Sequence, residues 1–156
     1  MELMLTKVGV DSIINGVLVI PIGVTRISTD AINEECAKLI KVVYMPDTMQ
    51  RIDDYAFFKC LNLEKVFVGK KSALQYIGTR AFARTAISDF YLPDGVTVCS
   101  GAFRDTNIKK IEVPQKCTYY NISGTKDSPL NSFGKGVKIT ERAVEKTIVK
   151  QSGICA

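Results

Sequence analysis

Apolar and polar positions along this chain repeat as a compound unit. Segments 24–32, 49–57, 74–82 and 96–103 align, closing on Ala31-Ile32, Ala56-Phe57, Ala81-Phe82 and Ala102-Phe103. Their alanines recur at spacings of 25, 25 and 21 residues, and the last segment is one residue shorter than the others. After each copy, apolar residues fall in an apolar-x-x-apolar-x-apolar pattern: Ile40/Val43/Met45, Leu63/Val66/Val68, Ile87/Phe90/Leu92 and Ile108/Ile111/Val113. Pro46, Pro93 and Pro114 follow three of these, Gly69 follows the other, and Val17-Leu18-Val19-Ile20-Pro21 is an earlier half-copy. Alternation stopped by proline predicts a short strand running into a turn, because proline cannot donate to a strand ladder.

Units this short cannot close a core alone, so the repeat predicts a stack in which each rung is covered by its neighbours. Ile27, Ile52, Ile77 and Cys99 are expected to form one internal column, and Ala31, Ala56, Ala81 and Ala102 another where the backbone packs closely. Ile32, Phe57, Phe82 and Phe103 would fill the interior, and Cys36, Cys60, Thr85 and Thr106 would form a column of small side chains. That column gives two cysteines a structural place rather than a reactive one.

The Ile-x-x-x-Ala-Phe core, the small residue after it and the Leu-x-x-Val-x-Val strand resemble the BspA-like leucine-rich repeat family, as does the opening Asn15-Gly16-Val17-Leu18-Val19-Ile20-Pro21-Ile22-Gly23-Val24-Thr25-Arg26-Ile27. The resemblance covers residues 15–116. It implies an α/β-type right-handed solenoid of about four rungs with a parallel sheet on one face. It also implies adhesion or protein binding, usually within larger secreted or surface proteins.

The ends read differently. Asn15-Gly16 between two apolar pairs predicts a tight hairpin, so residues 1–14 are expected to cap the first rung. Residues 117–156 show no further copy and are expected to form a C-terminal cap, with a specialised binding segment as the alternative. Within them, residues 140–150 are compatible with a helix: Thr140 as N-cap, Glu141 in the first turn, Lys150 in the last, Val144 and Ile148 on one face.

Composition narrows the chemistry. The 156 residues include five cysteines, none in a C-x-x-C pair, and no histidine. The usual zinc sites therefore lack their ligands, and neither metal nor cofactor is expected. A cysteine nucleophile would lack its usual base. Asp53-Asp54 is an adjacent carboxylate pair at a turn where other copies carry Ser28-Thr29 and Gly78-Thr79, which reads as solvated surface. Gly134-Lys135-Gly136 lacks the spacing of a phosphate loop. These features point away from an enzyme.

No apolar run approaches the ~20 residues of a membrane helix. The opening Met1–Lys7 does not read as a signal peptide, and an odd cysteine count fits reduced thiols, so a cytoplasmic location is expected. On that expectation the sequon Asn121-Ile122-Ser123 reads as a chance match.

The net charge of +5 is uneven: residues 1–64 hold 6 basic and 9 acidic side chains, residues 65–156 hold 15 and 7. The second half would suit an acidic partner, unless its charges merely solvate an exposed face.

In the strand pattern, residues between the inward apolar positions point outward. One outward column reads Val19, Tyr44, Phe67, Tyr91, Glu112, and its neighbour Val17, Val42, Lys65, Asp89, Lys110. With rungs ~4.8 Å apart, Tyr44, Phe67 and Tyr91 are expected to form an aromatic ladder flanked by Val42, Lys65, Asp89 and Lys110, an apolar centre with a polar rim. Stabilisation of the sheet itself, or cover by residues 117–156, would explain the same residues.

The leading functional expectation is a protein-binding module, a small intracellular inhibitor or adaptor. Nucleic-acid binding is the second class, with Lys70, Lys71, Arg80, Arg84, Arg104, Lys109, Lys110 and Lys116 supplying charge. A glycan- or surface-binding adhesin fragment is the third.

Overall fold

The computed structural model describes residues 2–143. In chain order these form β1 (Met4–Leu5), β2 (Ile13–Ile14), β3 (Val17–Val19), β4 (Arg26–Ile27), α1 (Glu34–Leu39), β5 (Val42–Tyr44), β6 (Arg51–Ile52), β7 (Lys65–Phe67), β8 (Tyr76–Ile77), β9 (Thr97–Val98), β10 (Lys110–Val113), β11 (Thr118–Tyr119), α2 (Pro129–Phe133) and β12 (Lys138–Glu141). Every pairing between these strands is parallel except β2 with β3, which form a hairpin across Asn15 (φ 51°) and Gly16 (φ 80°). Positive φ at both central residues is what a hairpin turn matching strand twist requires.

The rungs stack into a solenoid with two parallel faces. One is the ladder β2-β3-β5-β7, continued after an interruption by β10-β12; the other is the six-stranded ladder β1-β4-β6-β8-β9-β11. The second face rests on the two-residue Arg26-Ile27, Arg51-Ile52 and Tyr76-Ile77 strands, which are too short to show alternation in the sequence.

Between the faces runs a column of stacked rings. Phe57 lies parallel to Phe82 at 5.0 Å, Phe82 to Phe103 at 5.4 Å and Phe103 to Phe133 at 5.2 Å. The N–H groups of Phe57, Phe82 and Phe103 donate to the carbonyls of Ala81, Ala102 and Ser132 in the next rung, at 2.7, 2.8 and 2.8 Å. Backbone ladders this close to the core leave room for only a methyl group, and Ala31, Ala56, Ala81 and Ala102 are all buried. The turn leading into the rings holds Tyr55, Arg80 and Gly101, with Lys59, Arg84 and Asp105 four residues on, all at φ between 53° and 63°. A non-glycine residue in that region costs roughly 1–2 kcal/mol, borne here because neighbouring rungs impose the same turn.

Cys36 and Cys60 are fully buried, as the small-residue column requires. The Cys36 thiol donates to the Val8 carbonyl at 3.3 Å, and in a later rung the Thr85 hydroxyl donates to the Phe82 carbonyl at 2.9 Å. Burial pushes the Cys60 thiol up to about 12, and raises Cys36 as well. Both should therefore stay protonated and inert to a thiol reagent in the folded protein, and react once it is denatured. Rapid native labelling of both, read by mass spectrometry, would overturn their placement.

Two expectations need correction. Val98, not Cys99, continues the Ile27/Ile52/Ile77 column, because Tyr76 pairs with Thr97 and Ile77 with Val98. The missing residue of the fourth copy falls before the strand: Gln75 and Tyr76 both donate to the Gln50 carbonyl, whereas Thr97 alone takes the corresponding bond to Gln75.

The second correction concerns residues 117–141, which form a further rung rather than a non-repeating cap. β11 pairs with β9, Ser132-Phe133 takes the Ala-Phe place, and β12 runs parallel to β10 with Ile111 beside Ile139. Thr140 and Glu141 lie in this strand, so Thr140 does not cap a helix. The alternation Val137-Lys138-Ile139 meets an open strand edge that pairs its backbone groups, which an isolated helix start could not match. Val144, Ile148 and the rest of the expected helix lie outside the described residues.

Candidate functional site

The outer face of the first ladder is set by register. β3, β5 and β7 pair so that Val19, Tyr44 and Phe67 are direct neighbours, as are Val17, Val42 and Lys65. Inward residues Leu18, Val43 and Val66 are buried, which fixes their alternates outward. Tyr44 and Phe67 stack with ring centroids 4.5 Å apart and planes 8° apart. Both remain substantially exposed, Tyr44 at 43% and Phe67 at 38%. Lys65 holds its ammonium 4.8 Å from the centre of the Phe67 ring and so closes one side of the patch with charge.

The patch extends toward the N-terminal end of the stack. Val19 is 62% exposed, and Ile14, paired with Val17 across the hairpin, is 64% exposed. Ile14 was not singled out by the sequence, and Val19 was placed in the outward column but not among the expected binding residues. The column had already named Val19, and a two-residue hairpin turn fixes Ile14 opposite Val17, so both were within reach of the pattern. Four successive strands thus present Ile14, Val17/Val19, Val42/Tyr44 and Phe67, an apolar surface of the kind soluble monomers seldom leave bare.

Tyr91 does not extend the aromatic stack as expected. Among the described residues no ring pairing joins it to Phe67, and no strand pairing joins β7 to residues 88–91. This rung carries Phe90 where others carry Val43, Val66 or Ile111. The Phe90 ring packs tilted against both Phe82 and Phe103, at 5.1 and 4.9 Å, and residues 88–91 form no strand beside β7. Asp89 is spent on its own turn, accepting from the Phe90 N–H at 2.9 Å. A groove of about 350 Å3 opens between Lys65, Phe67 and Ser88-Asp89-Tyr91.

Arg142 covers Tyr91. Its guanidinium sits 4.6 Å from the centre of the Tyr91 ring and donates to the Leu92 carbonyl and to Asp94, both at 3.0 Å. This cross-rung contact spans some fifty residues of chain and has no signal in the local sequence. Beyond it the face turns polar: Lys110 lies opposite Lys138, and Glu112 opposite Thr140.

The basic residues do not form one patch. Lys70 and Lys71 lie in the turn after β7, and Lys116 in the turn before β11, where Gly95 donates to its carbonyl. Arg80, Arg84 and Arg104 lie on the other edge, in the turns that follow the second ladder, and Lys109 adjoins the start of β10. None of the aromatic trio on the sheet face stands beside Arg80, Arg84 or Arg104, so the two halves of the nucleic-acid expectation are spatially separate.

On the second ladder, Asp53 is buried and accepts from Arg26 Nε at 2.9 Å and Arg51 Nε at 3.0 Å, while the Arg51 guanidinium stacks 3.8 Å from the centre of the Tyr76 ring. Asp53 therefore neutralises two arginines that adjacent strands place side by side, rather than solvating a turn. Among the described residues no group of His, Cys, Asp and Glu is arranged to hold a metal ion, and no helix is long and apolar enough to cross a membrane.

The match to a family of repeats agrees with this geometry. The profile of the BspA type leucine rich repeat region matches residues 15–133 in six copies. A solved leucine-rich repeat protein from Bacteroides ovatus is similar at 14% identity, over 74% of this chain and 47% of that one, with a TM-score of 0.41. The chain thus spans about half the length of that structure. No curated protein matches the chain. With six profile copies over residues 15–133 and an unbroken parallel ladder from β1 to β11, the chain belongs to the BspA-type leucine-rich repeat family.

Proposed function

We propose that the chain is a non-enzymatic protein-binding module, an inhibitor or adaptor that works through the Ile14–Val19–Tyr44–Phe67 face. The observation that carries this reading is the Tyr44–Phe67 stack at 4.5 Å, left exposed on a sheet and continuous with exposed Val19 and Ile14. Rigid, pre-stacked aromatics lose little conformational freedom on binding, and aromatics at the centre of an interface carry much of its energy. Lys65 and the polar β10–β12 end supply a rim. Within the proposal, Val42 and Lys65 belong to this site, Asp89 and Lys110 lie at its polar margin, and Tyr91 joins it only where its ring shows beside Arg142. A cytoplasmic setting is part of the same proposal and fits the free buried thiols of Cys36, Cys60 and Cys99.

The test is affinity capture from a nuclease-treated lysate, run in parallel with the chain and with a Tyr44→Ser/Phe67→Ser variant shown to fold by circular dichroism. A protein retained by the first and lost with the second supports the reading. Equal capture by both contradicts it.

A further inference from the structure

The edge on which each rung turns from the second ladder into the ring column carries a second surface. In three consecutive rungs this edge presents Tyr55, Phe58 and Lys59, then Arg80 and Arg84, then Gly101 and Arg104. The turns touch one another: the Tyr55 N–H donates to Thr79, Lys59 to Ala83, Arg80 to Ser100 and Arg84 to Arg104, at 2.9 to 3.0 Å. Gly101 holds φ at 63° where the preceding rungs have Tyr55 and Arg80, and its missing side chain makes room. A Cβ there would lie 3.2 Å from Arg80 Cγ and 3.4 Å from Arg104 Cγ, so two arginine stems converge over one glycine. Lys109 and Lys135 continue the charge along a groove of about 630 Å3 that also exposes Gly134 and Gly136.

Lys59, Arg80, Arg84, Arg104, Lys109 and Lys135 are all exposed, and among the described residues none of them forms an ion pair. The carboxylates along this edge include Asp54, which accepts from the Thr79 N–H at 2.8 Å, Asp105, and Asp127, which accepts from Asn131 Nδ2 at 2.9 Å. Aromatic rings stand at the head of the cation row: Tyr55 is 42% exposed and meets Phe58 edge-on at 5.2 Å, with the Lys59 ammonium 5.4 Å from the Phe58 ring. In the rung before Tyr55 the same edge turns acidic, with Asp30, Glu34 and Glu35.

We propose that this edge binds a short run of single-stranded nucleic acid. Cations repeating at the rung spacing of ~4.8 Å can follow a flexible phosphate backbone, and the exposed Tyr55 ring offers a face on which a base stacks. An acidic peptide would satisfy the arginines but has no use for the rings. The acidic rung at one end limits the track to about three rung intervals, and so to a few phosphates. This surface is separate from the sheet face, and the proposal stands or falls independently of protein binding there.

The test is fluorescence anisotropy of a labelled short oligothymidylate against the whole chain as salt is raised. Binding should weaken with a log–log slope of about −3, the value for roughly four phosphates on a single strand. An Arg80→Glu/Arg84→Glu/Arg104→Glu variant should lose at least tenfold in affinity, while Lys70→Glu/Lys71→Glu on the other edge should lose less than threefold. Tyr55→Asn, chosen because asparagine tolerates positive φ, should weaken oligothymidylate severalfold and leave inorganic polyphosphate unchanged. Should the triple variant fail to fold by circular dichroism, Arg84→Gln alone should still weaken binding severalfold. Absence of oligonucleotide binding at low salt, or indifference to the arginine changes, would overturn the proposal. Equal affinity for polyphosphate and oligothymidylate, with no effect of Tyr55→Asn, would also overturn it, marking an acidic-polymer site instead.

Discussion

Replacing Phe82 with alanine is expected to destabilise the fold by about 3–5 kcal/mol, read from the denaturant midpoint at unchanged slope. Phe82 is fully buried, stacks between Phe57 and Phe103 at 5.0 and 5.4 Å, and meets Phe90 at 5.1 Å. Its removal leaves a gap in the middle of the column, where both neighbouring rungs are held in place by backbone hydrogen bonds at Ala81 and Ala102 and cannot close in. Because a solenoid rung rests on its two neighbours, the loss is felt by the whole stack, which should still unfold in one transition. A change below about 1 kcal/mol would mean that the ring column does not bear the stack together.

Much of that column was legible in the sequence because its signal is periodic. Ala-Phe pairs at spacings of 25 and 21 residues fix the internal positions without knowledge of any partner, and the apolar-x-x-apolar-x-apolar strands fix which residues face out. What escaped lies where the period breaks. A one-residue deletion can be placed at several points in the fourth copy, and it takes the Ile77–Val98 pairing and the Thr97–Gln75 hydrogen bond to show that Val98 takes the column place. The rung at 117–141 was hidden because Ser132 stands 30 residues after Ala102 and replaces an alanine with a serine. Its serine is tolerated because the hydroxyl donates to the Cys99 carbonyl at 3.0 Å, so the buried polar group is satisfied. The Tyr44–Phe67 pair followed from register alone. The loss of Tyr91 did not, since it depends on how Phe90 packs in three dimensions and on Arg142 reaching back across the face.

Replacing both Tyr44 and Phe67 with serine is expected to leave the chain folded but to weaken its protein complex by more than about 2 kcal/mol, thirtyfold or more in Kd. The folded state should lose only ~0.2–1 kcal/mol, because the pair contributes a cross-strand contact on an exposed surface rather than core packing. Binding should suffer more, since the two rings form the centre of the exposed patch and serine cannot exclude water from it. Lys65→Glu is the contrasting change. It should alter association rate and salt dependence while leaving most of the affinity in place. If the double serine variant unfolds, the two rings are buried in solution and the face is closed. If it folds and binds with unchanged affinity, the interface lies elsewhere.

The most direct measurement is a covalent side-chain footprint of the chain, alone and bound to the protein it captures. Val19, Tyr44 and Phe67 should label readily in the free chain, as their exposures of 62%, 43% and 38% require, and become protected in the complex. Tyr55, also 42% exposed but on the turn edge, should label equally in both states. Protection confined to Tyr55 and its neighbours, with Tyr44 and Phe67 labelled as before, would contradict the assignment of the sheet face as the protein-binding surface.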